Sequence, residues 1–234
     1  MALPEPHLTV MTGRHPSSAV VLVLHGGREL SSDPVRARQL AVLRMRPIAR
    51  RIARGGHGRV AVARLRYAIR GWNGPDDPAP VRDAEWALRR LTERFPDLPI
   101  GLVGHSMGGR TALRVAGHRQ VRGVVGLAPW LPAGEPVSQL ADRRVLLMHG
   151  ALDRVTSPAA TAGYATRAEA AGASVSLVSV SGEGHAMLRR AQLWHALTAR
   201  FVLGSVLPDL AATALPRLPS ALDQVVTDTV RITC

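Results

Sequence analysis

Lysine is absent from this 234-residue chain, so all thirty of its basic residues are arginine. Set against 17 acidic residues they leave a formal charge of +13. Arginine without lysine, beside abundant Ala, Gly and Pro, reads as the codon bias of a GC-rich genome rather than a surface built for a polyanion. Nucleic-acid recognition asks for basic residues gathered on one face with aromatic or polar base readers among them. The densest basic stretch is Arg44, Arg46, Arg50, Arg51, Arg54 and Arg59, which holds no aromatic, and no nucleic-acid partner is expected. Cysteine occurs once, as the last residue, Cys234, which excludes an intrachain disulfide. The first ten residues lack a basic segment followed by an apolar one, and no apolar run reaches the length of a membrane span. The expectation is a soluble cytoplasmic protein without a membrane partner. His, Cys, Asp and Glu show no metal-ligand spacing, and no G-x-G-x-x-G follows a strand, so neither metal nor nucleotide cofactor is implied.

What is present is alternation. Short Val- and Leu-rich runs at 18–24, from 60, at 99–104, 121–127 and 145–148 read as parallel strands buried on both faces. Amphipathic stretches separate them. Val81, Ala84, Leu88, Leu91 and Phe95 recur at helical spacing after Pro80, Ser157-Pro158 has the chemistry of a helix start, and Gly172 that of a stop. Residues 34–54 are helical in pattern except at Pro47, and 188–207 read as a final helix. The result is a three-layer α/β domain over residues 1–207, with its ligand site at the strand C-termini. Residues 208–234, which carry three Pro, form an extension, docked or partly disordered.

Gly104-His105-Ser106-Met107-Gly108 fits G-x-S-x-G between an apolar strand and a helix, the setting a nucleophile elbow requires. An activated serine needs a base, and the base an orienting carboxylate. Asp142 and Asp153 are the aspartates between Ser106 and the last helix, and they flank one strand. Asp153 is at the C-terminal edge, where Ser106 emerges. His195 falls inside a helix, whereas His185 follows a strand in a Gly-flanked loop at that edge, with Glu183 as solvated loop and spare acid. Trp72 and Trp130 each lie beyond a strand's C-terminal end, placed to wall an acyl site or to pack in the core. Arg28 is a candidate for a substrate carboxylate.

With these residues in this order the sequence resembles the α/β-hydrolase family, over most of residues 18–207. The resemblance rests on Ser106, Asp153 and His185 as nucleophile, acid and base, and on His25-Gly26-Gly27 after the first long strand. It implies an oxyanion hole from the N–H groups of Met107 and Gly27, with Arg28 as second choice to Gly27, and packing roles for His25 and His105. A serine nucleophile argues against the haloalkane dehalogenase and epoxide hydrolase branches. Thirteen residues, 131–143, stand where many relatives insert a lid. The implied protein is a lidless serine esterase or thioesterase of dienelactone-hydrolase-like size, taking a small-molecule ester or thioester. An acyltransferase or pathway-specific thioesterase with the same triad is the alternative, and a non-catalytic binding protein on this fold a more distant one.

Overall fold

The computed structural model describes residues 4–74, 77–210 and 231–234. Eight strands form one sheet in the order β1-β3-β2-β4-β5-β6-β7-β8. Strands β2 (Ala19–Leu24), β3 (Val60–Arg66), β4 (Ile100–His105), β5 (Val121–Leu127), β6 (Arg144–Gly150) and β7 (Ser174–Val180) are parallel neighbours. All six residues of β2 and of β4 are buried, as a sheet covered on both faces demands. Two strands escape the apolar pattern. β1 (His7–Met11) runs antiparallel to β3 at one edge, half-buried and part polar. β8 (Arg231–Thr233) pairs in parallel with β7 at the other edge, where the Cys234 backbone bonds to Ser179 and Ser181. Leu210, Leu215, Leu218, Leu222 and Val226 recur at helix-like intervals, broken by Pro216 and Pro219, a pattern from which the extension is expected to fold back over the site; all of them but Leu210 lie outside the described residues.

Helices α1 (Leu40–Gly55) and α5 (Ala191–Val206) cover one face, and α2 (Ala79–Arg94), α3 (Met107–Arg114) and α4 (Pro158–Ala170) the other. Helix α1 begins later than its sequence pattern suggests. Residues 28–35 instead pair with the segment after β3, through Val35 N–H to Ala68 O at 3.1 Å, Arg70 N–H to Asp33 O at 3.0 Å and Trp72 N–H to Arg28 O at 2.9 Å. The helix also continues through Pro47. An interior proline costs about 3 kcal/mol, but Pro47 faces solvent while Val42, Met45, Ile48, Ala49 and Ile52 are buried. Each large apolar side chain buried contributes about 1.5–3 kcal/mol, so the buried face outweighs the lost hydrogen bond. Helix α4 starts as its cap residues predict, with the Ser157 hydroxyl accepting from Ala160 N–H at 3.1 Å. It stops at Ala170, before Gly172 at φ +90°. The stretch 131–143 holds only a single turn of 3₁₀ helix (Ser138–Leu140), and among the described residues no large cap covers the C-terminal edge. Among the described residues, no helix is long and apolar enough to cross a membrane.

Candidate active site

Ser106 sits between the end of β4 and the start of α3 at φ 56°, ψ −121°, a conformation that costs a non-glycine residue on the order of 1–3 kcal/mol. The motif glycines make the turn sterically possible. A Cβ at Gly104 would overlap the Gly108 carbonyl, and one at Gly108 would overlap the carbonyls of Leu24 and His25. Helix α3 therefore starts hard against the end of β2, with its N-terminal dipole directed at the serine.

Asp153 and His185 come together at the same sheet edge, from the loops after β6 and β7. His185 Nδ1–H donates to Asp153 Oδ2 at 2.8 Å, which leaves Nε2 as the basic nitrogen of the neutral ring. Burial alone would raise the Asp153 carboxyl. The backbone N–H of Thr156, the His185 ring, the N–H of Val155 and the Thr156 hydroxyl outweigh it and hold the group at about 2. Asp153 is thus an ionised acceptor at neutral pH.

Several residues that sequence reasoning passed over fix this pair. His149 Nε2 lies 3.0 Å from the same Asp153 oxygen, and its Nδ1 lies 2.8 Å from the Thr161 hydroxyl. Thr156 places its hydroxyl 2.8 Å from Asp153 Oδ2 and 3.1 Å from His185 Nδ1. Glu183, expected to be solvated, is 0% exposed. Its carboxylate accepts from the N–H groups of Arg189 and Arg190 and from Trp194 Nε1, while its carbonyl accepts from Leu152 N–H at 2.8 Å. It ties the start of α5 and the Asp153 loop to the His185 loop, and is engaged too fully to serve as a spare acid. It also explains the late start of α5, since the backbone N–H groups of Arg189 and Arg190 are held in a turn by that carboxylate. Arg44 NH1 donates to Ala186 O from α1. His105 Nε2 lies 3.0 Å from the His185 carbonyl and binds that loop to the elbow.

Beside Ser106, and among the described residues, the N–H groups of Met107 and Gly27 enter no backbone hydrogen bond outside the helices and strands. That of Arg28 already donates to Arg70 O at 2.8 Å, which leaves Gly27 rather than Arg28 free to face an oxyanion. A Cβ at Gly27 would overlap the Met107 side chain and the Arg70 carbonyl, so the two free donors belong to touching residues. The Arg28 side chain is exposed and, among the described residues, joins no salt bridge. Trp72 and Trp130 meet edge to face, centroids 6.0 Å apart, and line a cleft of about 230 Å³. Trp72 is buried in the core, Trp130 half-buried with its N–H on Ser106 O. Arg110, unremarked in the sequence, stacks on both indoles at 3.8 and 4.5 Å and pairs with buried Glu135 at 2.7 Å. Among the described residues no group of His, Cys, Asp and Glu has the geometry to hold a metal.

His25 and His105 stay neutral. Burial above all lowers His25 to about 4 and His105 to about 3, the latter also through His185. The unfolded chain, with histidines near 6.5, takes up protons between those values and 6.5 that the folded chain refuses. Stability is therefore complete above pH 6.5 and falls as pH is lowered. The His25 difference alone corresponds to roughly 3 kcal/mol at pH 4, whereas Asp153 adds a loss only below about pH 4. Urea unfolding at pH 7, 5.5 and 4.5 is expected to show the midpoint dropping at each step. A midpoint unchanged between pH 7 and 4.5 would contradict buried neutral histidines.

A family model described as serine aminopeptidase, S33, matches residues 15–146, more than half of the chain. No curated protein matches it. Among solved structures the fold is similar to a putative α/β hydrolase from Agrobacterium tumefaciens, at TM-score 0.65 and 15% identity over 90% of this chain and 94% of that one. It is also similar to Est1E from Butyrivibrio proteoclasticus with ferulic acid bound (TM-score 0.64, 13% identity, 86% of this chain and 95% of that one). A monoacylglycerol lipase from Paleococcus ferrophilus gives TM-score 0.61 and 15% identity over 86% of this chain and 99% of that one. At such identities the likeness is one of fold.

Proposed function

The chain belongs to the serine aminopeptidase S33 family, on an α/β-hydrolase fold, and from that membership we propose a serine hydrolase that cleaves carboxylic ester or thioester bonds of small to medium acyl substrates. The observation that carries the reading is the strained Ser106 at the same sheet edge as the bonded Asp153–His185 pair. Ser106 Oγ attacks the acyl carbonyl as His185 Nε2 takes its proton. Asp153 holds the imidazolium, and the N–H groups of Met107 and Gly27 bind the oxyanion. The C–O or C–S bond then breaks, His185 protonates the leaving alcohol or thiol, and water attacks the acyl-enzyme by the same steps in reverse order of groups. Hydrolysis is favoured over acyl transfer because Ser106 is half-buried, the His185 side chain is 18% exposed and, among the described residues, no cap excludes water. A purely binding role is disfavoured by an intact Asp–His pair in which both Asp153 oxygens accept hydrogen bonds and His185 Nε2 is left as the base.

The open mouth sets the expected substrate range. A methylene that finds no wall forfeits about 0.8 kcal/mol of binding, and Trp72 and Trp130 offer wall for a short chain only. Across p-nitrophenyl esters of increasing chain length, with acyl-CoA thioesters in parallel, kcat/KM is expected to peak at short or medium acyl groups. Preference for palmitoyl esters, with turnover rising above the substrate's micellar threshold, would overturn the lidless reading.

A further inference from the structure

Positive charge gathers with nothing opposite it in the groove between α1 and the β1 edge of the sheet. Arg46 and Arg50 stand one turn apart on α1, a spacing that puts them on one helix face. Opposite them is Arg64 of β3, whose neighbour across the antiparallel pair is Thr9 of β1. Arg46, Arg50, Arg64 and Met11 line a hollow of about 160 Å³. An adjoining hollow of about 220 Å³ is lined by Arg46 and Arg64 again, with His7, Thr9 and Arg66. Neither has an acidic lining residue. Among the described residues, none of the three arginines joins a salt bridge, and Arg46 Nε is buried with no hydrogen-bond partner.

At Arg110 and Arg114, by contrast, the fold neutralises sequestered arginines, since the two share the Glu135 carboxylate. Here burial lowers the proton affinity of Arg64, and the charges of Arg46 and Arg50 lower it further. A guanidinium N–H out of water and without an acceptor is unfavourable, as are like charges drawn together. A bound anion relieves both. Tetrahedral oxyanions suit the purpose because each planar guanidinium can meet two of their oxygens, and a hydroxyl such as that of Thr9 can donate to a third.

We propose that this groove is a binding site for a phosphate group of two or more negative charges, a phosphate monoester or a pyrophosphate, held by Arg46, Arg50 and Arg64. The site is separate from Ser106 and does not rest on the hydrolase reading. The shared chemistry has two sources, a soluble phosphate or a phospholipid headgroup.

The test is calorimetric titration of the full chain with pyrophosphate at fixed ionic strength, together with its thermal unfolding. Wild type is expected to bind one pyrophosphate saturably and to unfold at higher temperature in its presence. Arg64→Gln and Arg46→Gln should each weaken binding at least tenfold and abolish the thermal shift, whereas Arg89→Gln on α2 should change neither. Relief of repulsion should leave the unliganded Arg64→Gln variant at least as heat-stable as wild type at low salt, so lost binding is separable from lost folding. With those results, co-sedimentation on phosphatidic acid vesicles that also depends on Arg64 assigns the phosphate to a lipid headgroup, and failure to sediment assigns it to a soluble compound. Pyrophosphate binding no tighter than that of chloride, or equal in all three variants, would overturn the proposal. So would displacement of pyrophosphate by duplex DNA with a steep salt slope, which would make the groove a nucleic-acid surface.

Discussion

Alanine at position 106 is expected to lower kcat/KM for ester hydrolysis by about four to six orders of magnitude. The variant should fold and melt like the wild type. The loss follows from the proposed route, in which every bond change begins at Ser106 Oγ. Asparagine at 153 should cost about four orders of magnitude by a different cause. Asp153 Oδ2 accepts from His185 Nδ1 at 2.8 Å. An amide there offers N–H where it must accept, turning the ring so that Nε2 carries the proton and cannot act as base. Because the three residues act as a unit, Ser106→Ala with Asp153→Asn should be no slower than Ser106→Ala alone. Steady-state kinetics on a p-nitrophenyl ester of the best chain length reads all three. A Ser106→Ala enzyme within tenfold of wild type would remove the proposed nucleophile.

The second large effect is on stability. Glu135 is buried between Arg110 and Arg114, receiving Nε–H bonds from both, and its carbonyl accepts from Arg167 NH1 at 2.8 Å. Arg110 is itself 6% exposed and stacked on Trp72 and Trp130. Removing the carboxylate strands two guanidiniums, one of them unable to reach water without unstacking from both indoles. Breaking a buried ion pair by deleting one partner costs about 3–5 kcal/mol, roughly 10 °C in Tm for a domain of this size. Glu135→Ala should show that loss in denaturant titration. Glu135→Gln, which keeps acceptor geometry at one oxygen, should fall between it and wild type. A Glu135→Ala loss under about 1 kcal/mol would mean that the arginines find water on their own, and that the walls of the Trp72–Trp130 cleft do not depend on the buried pair.

These two cases mark what one chain of letters discloses. The Ser106 turn is legible because the strand, the glycines and the helix that form it are contiguous. Asp153 and His185 are legible one step less directly, since parallel topology puts the ends of β6 and β7 on the same edge as that of β4 whatever the intervening sequence. Glu135 and Arg110 meet across twenty-five positions, and nothing local to either residue announces the other. Glu183 departs from its expected solvated state for the same reason. A glutamate among glycines has the composition of solvated loop, and only the fold brings the start of α5 and Trp194 onto its carboxylate. His149 and Thr156 flank Asp153 at four and three residues, close enough that a search for donors around the acid would have found them. Pro47 misleads in the opposite sense. Local propensity interrupts the helix there, and the buried face of α1 carries it through. Strand β1 went unread because an edge strand need bury only part of its surface and so lacks the apolar run that marks the interior ones.

The central claim is that one serine is held in an activated state by a neighbouring base, and covalent labelling tests it most directly. A fluorophosphonate reacts with serines whose proton can be taken as the phosphorus–oxygen bond forms and fluoride leaves. After exposure of the native protein, intact-mass and peptide mapping by mass spectrometry should find one adduct per chain, on Ser106. The adduct should be absent from Ser106→Ala and slowed by several orders of magnitude in His185→Ala. Labelling that persists at another residue in Ser106→Ala, or that proceeds on Ser106 at an unchanged rate without His185, would contradict the account.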